Sequence, residues 1–221
     1  MRLGCKIALA AAVLQVAGPP QVRGQSEVQF TPHLGMYFPL RPVVDEAEFE
    51  GAPLKKRQVG AAVIGGRISW ARRVESRVFM EGTFNYSPSL VAISQAGSTW
   101  DADGGLLLSS VRAVYRLHRR DPNSVTPEIQ LASGLALIHR FGEAWYRFSG
   151  TTDLAAVMGL GGRVPLGKKT PVNVRFEIEN YVSRVQFQAD VGERTRARYN
   201  HDTVWSLGFE IPMTGNTSEK R

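Results

Sequence analysis

Residues 203–213 read TVWSLGFEIPM, and this stretch near the carboxyl end of the chain decides the fold. Successive side chains of a strand point to opposite faces, so the two-residue period separates an apolar face from a small or polar one. Ser206, Gly208 and Glu210 share the second face. In an exported chain, this pattern is typical of the closing strand of a membrane β-barrel. The apolar face of the stretch comprises Trp205, Leu207, Phe209, Ile211 and Met213.

The amino terminus has the layout of an export signal. Arg2 and Lys6 precede an apolar run at 7–16, and small residues follow up to Gly24. This order predicts a secretory signal peptide over residues 1–24, too short to span a bilayer as a mature helix. The alternative is a buried amino-terminal helix. Cleavage also removes Cys5, the only cysteine, so the mature protein would fold without disulfides.

Seven further segments show strand-like alternation, and together with the last they predict eight strands. Long and short connections alternate between them, as in up-and-down membrane barrels with tight turns at one rim and exposed loops at the other. The long segments 45–51 and 94–105 are polar and are predicted to be irregular. The eight predicted strands cover 28–38, 58–70, 76–87, 106–118, 126–140, 152–166, a segment starting at 171, and 202–213.

The face opposite the apolar one carries charges of both signs, small residues and no lysine at its charged positions. Arginine with glutamate or aspartate suits a crowded, partly dehydrated lumen, because bidentate geometry offsets desolvation. We therefore predict that this face lines the lumen and the apolar face contacts lipid. A solvated salt-bridge surface, or a lipocalin-like soluble barrel with the apolar face inside, remains the alternative. The predicted lumen charges are Arg67, Arg77, Glu81, Arg112, Arg116, Glu128, Asp153, Arg163, Arg175, Glu177, Glu179 and Glu210.

Aromatic residues fall near the strand ends, as expected for two girdles that flank an apolar band. Only their collective placement is informative, because a single aromatic residue is usually a packing residue. Phe38, Tyr86, Tyr181 and Trp205 are predicted near the long-loop rim, and Phe30, Trp70 and Tyr115 near the short-turn rim.

Residues 174–182 and 201–213 carry a resemblance to a known family. In this sequence they read VRFEIENYV and HDTVWSLGFEIPM. The chain resembles the small outer-membrane β-barrel proteins of Gram-negative bacteria, the OmpA/OmpX-type eight-stranded group and the outer membrane protein β-barrel domain family. The resemblance implies an all-β, eight-stranded antiparallel up-and-down transmembrane barrel with a filled polar lumen. It would cover residues 25–213, leaving 214–221 as a polar tail.

The resemblance also implies an outer-membrane location and insertion by the barrel-assembly machinery. That machinery would read Ser206, Gly208, Ile211 and Met213, although Met213 stands where the family usually has an aromatic residue. Outer-membrane lipids and lipopolysaccharide are the expected partners, and a monomer is expected. No clustered basic helix or stacking motif indicates nucleic acid, despite the formal charge of +7.

No residue pattern indicates a catalytic centre, a cofactor site or a metal site. The four histidines (His33, His118, His139, His201) lack metal-ligand spacing, and an eight-stranded lumen filled with side chains leaves no diffusion pore. We therefore expect a non-catalytic protein with a structural or surface-interaction role.

Two alternatives stay open for the function, and one loop cluster has two interpretations. His201 and Thr203 share the face of Trp205 near the outer rim, which is the pattern of a lipid A deacylase. A soluble periplasmic lipocalin-like barrel would instead bind a ligand inside. A loop cluster could contact lipopolysaccharide phosphates or be a solvated surface of mixed charge. The cluster comprises Glu193, Arg194, Arg196 and Arg198.

Overall fold

The computed structural model describes residues 27–49, 51–72, 76–118, 126–149, 151–167, 172–189 and 195–213. The predicted signal peptide and the predicted polar tail lie outside this range. Among the described residues no helix has the length and apolar character needed to cross a membrane. The strands are β1 (Glu27–Pro39), β2 (Val44–Phe49), β3 (Ala52–Gln58), β4 (Ala61–Ala71), β5 (Val78–Ser87), β6 (Leu90–Gln95), β7 (Ser98–Asp103), β8 (Gly105–Arg116), β9 (Glu128–Phe141), β10 (Phe148–Ser149), β11 (Thr152–Pro165), β12 (Asn173–Val185), β13 (Gln188–Ala189) and β14 (Arg198–Pro212).

Eight of these strands close into one barrel in the order β1-β14-β12-β11-β9-β8-β5-β4. Every pair of neighbours is antiparallel, and each barrel strand pairs with the next barrel strand along the chain. The barrel closes where β1 pairs with β14, which puts Leu34 opposite Leu207 and Met36 opposite Trp205. The predicted eight-stranded antiparallel up-and-down barrel is therefore confirmed.

The closing strand shows how the two faces are used. Ser206 and Glu210 are buried inside the barrel, while the alternate residues point outward. The predicted lipid-facing residues are between 41% and 64% exposed, because they have no protein on their outer side. The outward residues of this strand are Trp205, Leu207, Phe209, Ile211 and, just after its end, Met213.

The two rims of the barrel differ in structure. We call the rim that carries residues 40–60, 88–104, 142–151 and 186–197 the loop rim, and the opposite one the turn rim. The predicted strict alternation of long and short connections is wrong. The connection 117–127 at the turn rim is at least as long as the connection 142–151 at the loop rim. Within the described residues, the loop-rim connections contain secondary structure of their own.

The prediction that 45–51 and 94–105 are irregular is also wrong. β2, β3, β6 and β7 form a four-stranded sheet, and β10 pairs with β13. Val91 and Ile93 alternate with more exposed neighbours along β6, so this segment has a buried face to pack. Together with the 3₁₀ turn Glu143–Trp145, these elements form what we call the loop cap.

Candidate functional site

The barrel lumen is lined by buried charged side chains. Bidentate guanidinium groups can satisfy several carboxylate oxygens at once, which offsets part of the cost of taking these charges out of water. Eleven of the twelve predicted lumen residues lie on inward positions, all except Arg77. The arginine side chains that are at most 2% exposed are Arg67, Arg112, Arg116, Arg140, Arg163 and Arg175.

A central cluster occupies the middle of the lumen, with three arginines and three glutamates that balance in charge. Its members are Arg67, Arg112, Arg175, Glu81, Glu177 and Glu179. Arg112 Nη1 lies 2.6 Å from Glu177 Oε1 and 2.5 Å from Glu179 Oε1, and its Nη2 contacts Glu81. Arg175 bridges Glu81 at 2.5 Å and Glu177 at 2.7 Å. Arg67 Nη2 lies 3.2 Å from Glu179 Oε1. Each arginine thus contacts at least two of the three carboxylates.

Neutral polar groups add hydrogen bonds to this central cluster. The Tyr181 hydroxyl donates to Glu179 Oε2 at 2.9 Å, and Ser69 Oγ donates to Glu81 Oε2 at 2.6 Å. Arg67 Nη2 donates to Ser206 Oγ at 2.6 Å. Because a buried carboxylate accepts several hydrogen bonds, these contacts hold the Glu81 and Glu179 side chains in position.

Glycine makes room for the central cluster. A Cβ added at Gly159 would lie 2.7 Å from Glu177 Oε1 and 3.3 Å from Arg112 Nη1. At Gly65 the same atom would lie 2.5 Å from His33 Nε2. Separations below 3.0 Å are too short for real contacts, so Gly159 leaves room for the Glu177 side chain and Gly65 leaves room for the His33 ring.

A second group of charges lies towards the turn rim. Arg163 contacts Glu128 and Glu210, both at 2.6 Å. Arg116 lies 3.8 Å from Glu27 and 3.9 Å from Glu128, and its guanidinium lies 4.6 Å from the centre of the Phe79 ring. Carboxylates and arginines therefore alternate here as they do in the central cluster.

A third group lies towards the loop rim, and the sequence analysis missed two of its charges. Arg140 contacts Asp153 at 2.5 Å and Asp202 at 3.1 Å. The Tyr37 hydroxyl and Asn200 Nδ2 also donate to Asp202, at 2.5 Å and 2.9 Å. The two-residue alternation along each strand is the signal that could have predicted Arg140 and Asp202. Each lies an even number of residues from a residue on the same strand that was predicted to point inward. They were overlooked because they sit at the ends of the predicted strands.

Two placements were wrong. Arg77 is exposed and precedes β5, and its backbone carbonyl accepts a hydrogen bond from the Arg116 amide at the turn rim. None of the salt bridges of the lumen clusters described above includes it. Tyr181 was assigned to an outer aromatic girdle, but it is fully buried because it shares inward parity with Glu177 and Glu179.

The candidate deacylase pair does not come together as a catalytic pair. His201 and Thr203 both lie on the outward face of β14, where Thr203 Oγ1 accepts a hydrogen bond from Asn180 Nδ2 at 3.1 Å. The histidine–threonine contact on the outer surface is elsewhere, between His139 Nδ1 and Thr152 Oγ1 at 2.8 Å. Sequence spacing could not find this pair, because its members lie on different strands.

Above the lumen, all four loop-rim connections contribute to one apolar cluster within the loop cap. Leu54 comes from the first connection and Ile93 from the second, while Trp145 comes from the third and Phe187 from the fourth. The Trp145 and Phe187 rings stack with their centres 5.1 Å apart. This shared core holds the loops together, since each loop alone has too little apolar surface to stay ordered.

Lys56 is buried within the loop cap, only 5% exposed. Its ammonium donates to the backbone carbonyl of Ala144 and lies 3.9 Å from the centre of the Phe148 ring and 5.3 Å from that of Trp145. Removal from water lowers the pKa of Lys56 to about 8. Among the side chains that the structure describes, which do not include those of residues 46–50, no carboxylate lies within 4.0 Å of it.

A cavity of about 290 Å³ opens beside Lys56 in the loop cap. Buried Leu54, Ile93 and Ala144 line it together with the exposed Trp100 and Tyr146. The buried residues form its inner wall and the exposed aromatic residues form its mouth. The remaining lining residues are Gln95, Ala102, Glu143, Arg147 and Phe148.

No protein-family model matches the chain. No curated protein matches it in sequence either. Solved structures do match. The crystal structure of the outer membrane protein OprG from Pseudomonas aeruginosa matches with a TM-score of 0.65 and 12% identity, over 88% of this chain and 100% of that one. The solid-state NMR structure of the outer membrane protein AlkL in DMPC lipid bilayers matches with a TM-score of 0.55 and 13% identity, over 91% of this chain and 96% of that one. This chain therefore has the fold of the small eight-stranded outer-membrane β-barrels.

Proposed function

We propose that the protein is a non-catalytic outer-membrane barrel whose role is interaction at the cell surface through its loop cap. The observation that carries this proposal is the contrast between a lumen filled with paired charges and a loop cap that contains an open cavity. A lumen crossed by six buried arginines with their carboxylate partners has no room for a diffusing solute.

The outward surface supports a membrane location. Aromatic and aliphatic side chains stand on this face around the barrel, and many of them are about half exposed. A soluble protein would rarely leave so large a continuous apolar surface in water. We infer that this belt contacts outer-membrane lipids, and that the chain reaches the membrane through a cleaved signal peptide and the barrel-assembly machinery. We expect a monomer.

Conductance across a planar lipid bilayer tests the proposal. We expect no stable channel from the purified protein, because the central cluster closes the lumen. The matched variant Arg112→Ala, Glu177→Ala, Glu179→Ala, which removes one arginine and two carboxylates of that cluster, should conduct if the protein still folds. Steady single-channel currents from the unaltered protein would contradict the closed-lumen role.

A lipid-modifying enzyme is the second candidate function, and the His139–Thr152 hydrogen bond favours it. A histidine that contacts a hydroxyl on the lipid-facing side near the loop rim is placed to activate it against an acyl ester. Mass spectrometry of lipid A from cells with and without the protein tests this. Loss of an acyl chain that is abolished by Thr152→Ala but kept in Thr203→Ala would replace the non-catalytic proposal.

Lipopolysaccharide is a further expected partner at the loop rim. Arg196 is exposed, whereas Arg198 pairs with Asp45 at 3.3 Å. Glu193 and Arg194 of the same predicted cluster lie outside the described residues. We infer that Arg196 contributes more to a phosphate contact than Arg198, because the Arg198 guanidinium already has a carboxylate partner.

A further inference from the structure

We propose that the cavity of the loop cap binds a small amphiphile with a single carboxylate head. The Lys56 ammonium would hold the carboxylate, and Leu54, Ile93 and Trp100 would contact the apolar chain. This inference rests on the proposed surface-interaction role and names the chemistry of a ligand for it.

The first argument is that the cavity combines an apolar wall with the volume of a small-molecule site. About 290 Å³ lies at the lower end of the range for small-molecule sites, which are mostly apolar with a few placed polar groups. Leu54 and Ile93 are 3% and 7% exposed, whereas Trp100 is 45% exposed. An apolar chain in this cavity would extend from a dry inner wall to an aromatic mouth.

The second argument is the charge of Lys56, which no carboxylate among the described side chains neutralises. The ammonium has three N–H donors, and the carbonyl of Ala144 is its one oxygen acceptor among the described residues. Aromatic ring faces attract the cation but accept little hydrogen bonding. A carboxylate would supply both the missing acceptors and the missing countercharge, in a site where burial strengthens the attraction.

The third argument selects a monoanion. Glu143 and Arg147 also line the cavity, and both are exposed. Their charges are of opposite sign, which leaves the single positive charge of Lys56 as the excess. A carboxylate matches this excess, whereas a phosphate monoester would bring a second negative charge close to Glu143.

Calorimetric titration of octanoate into the full mature protein in lipid nanodiscs tests the inference, with empty nanodiscs as the blank for partitioning. We expect saturable binding that weakens about tenfold or more in Lys56→Met, as loss of a buried charge-assisted contact predicts. Lys55→Met is the matched control, because Lys55 is the next residue on β3, is 54% exposed and pairs instead with Asp45 at 3.4 Å. Its affinity for octanoate should be unchanged.

Octanol and pH give readouts that do not depend on a variant. Octanol has the same chain without the charge and should bind more weakly than octanoate. The octanoate affinity of the unaltered protein should fall as the pH rises through about 8, because Lys56 then loses its proton. Glu143, Tyr146 and Arg147 are the other ionisable groups that line the cavity.

Three results would overturn the inference: octanoate heat that matches empty nanodiscs, equal affinity for octanol and octanoate, or an equal loss in Lys55→Met. If Lys56→Met fails to fold, the octanol comparison and the pH series still test the inference, because both use the unaltered protein. None of these outcomes alters the conductance and lipid A tests, so failure of this inference is distinguishable from failure of the proposed function.

Discussion

The lumen and the loop cap both bury cationic side chains, but they compensate the charge in different ways. In the lumen, Arg112 contacts three carboxylates and lies within a balanced cluster. In the loop cap, Lys56 has a carbonyl and two aromatic rings around it. A charge whose partners come from the protein stabilises the scaffold, whereas a charge with no carboxylate partner among the described side chains is available to a ligand. The proposed roles, structural for the lumen and binding for the loop cap, rest on this comparison.

The largest expected effect comes from breaking the central cluster. Arg112→Met should lower the free energy of unfolding by about 3–5 kcal/mol, because Glu81, Glu177 and Glu179 would lose a shared buried partner. Urea unfolding of the protein in detergent micelles, followed by tryptophan fluorescence, measures this change.

The control is Arg198→Met, which removes a partly exposed pair with Asp45 in the loop region. Arg198→Met should lower the free energy of unfolding by less than about 1 kcal/mol. Equal costs for the two variants would mean that burial does not separate lumen charges from loop charges, and the comparison would fail.

The next effect concerns the outer face of the barrel. Leu207→Arg should cost about 2–4 kcal/mol and reduce insertion, since Leu207 is 55% exposed on the outward surface and pairs with Leu34 and Phe176 of the neighbouring strands. Met213→Arg, just beyond the strand end, should cost about 0–1 kcal/mol. Heat-dependent gel migration of the membrane fraction reports the folded share, and normal folding of Leu207→Arg would contradict the assigned facing.

A smaller effect is expected from crowding the lumen. Gly159→Val should destabilise the barrel by about 1–3 kcal/mol, because the added side chain collides with Glu177 and Arg112. Gly82→Val is the matched variant, since the nearest atom to an added Cβ there is 4.0 Å away. Thermal unfolding of both variants should separate them, and similar transition temperatures would show that the lumen can rearrange around a larger residue.

The smallest effect concerns the loop cap and pH. The folded pKa of Lys56, about 8, is below its unfolded value, so the unfolded cap binds more protons between pH 8 and the ordinary lysine value. The stability of the loop cap should therefore rise with pH across that window, and the rise should be absent in Lys56→Met. A shift of a few degrees in a tryptophan-detected transition is expected. A transition that is insensitive to pH would show that Lys56 is hydrated in the cap.

Period-two alternation predicted most of the barrel because it depends on local geometry alone. Leu207 and Glu210 take opposite faces whatever their neighbours are, so strand number and facing follow from the order of residues. Arg140 and Asp202 were missed and Tyr181 was misplaced, although the alternation along their strands gives all three inward positions. The prediction for Arg77 was wrong for a different reason. Alternation predicts the face of a residue only within a strand, and β5 begins after Arg77.

The loop cap could not be predicted in the same way. Its four connections are separated by barrel strands, and each has too few apolar residues to form a core. The burial of Lys56 has no local sequence signal, because it depends on Ala144 and Phe148 from a connection far along the chain.

The sequence by itself determined the barrel: eight alternating segments, an inward face of arginines, carboxylates and glycines, and an outward apolar face, because strand pleating acts on each residue locally. Only the tertiary structure decided which charges meet. Arg112 and Glu179 are 67 residues apart in the chain, and the closed barrel places them on facing walls of a narrow lumen. It also decided that four loops share one core around Lys56, because that burial arises from long-range contacts that no single segment contains.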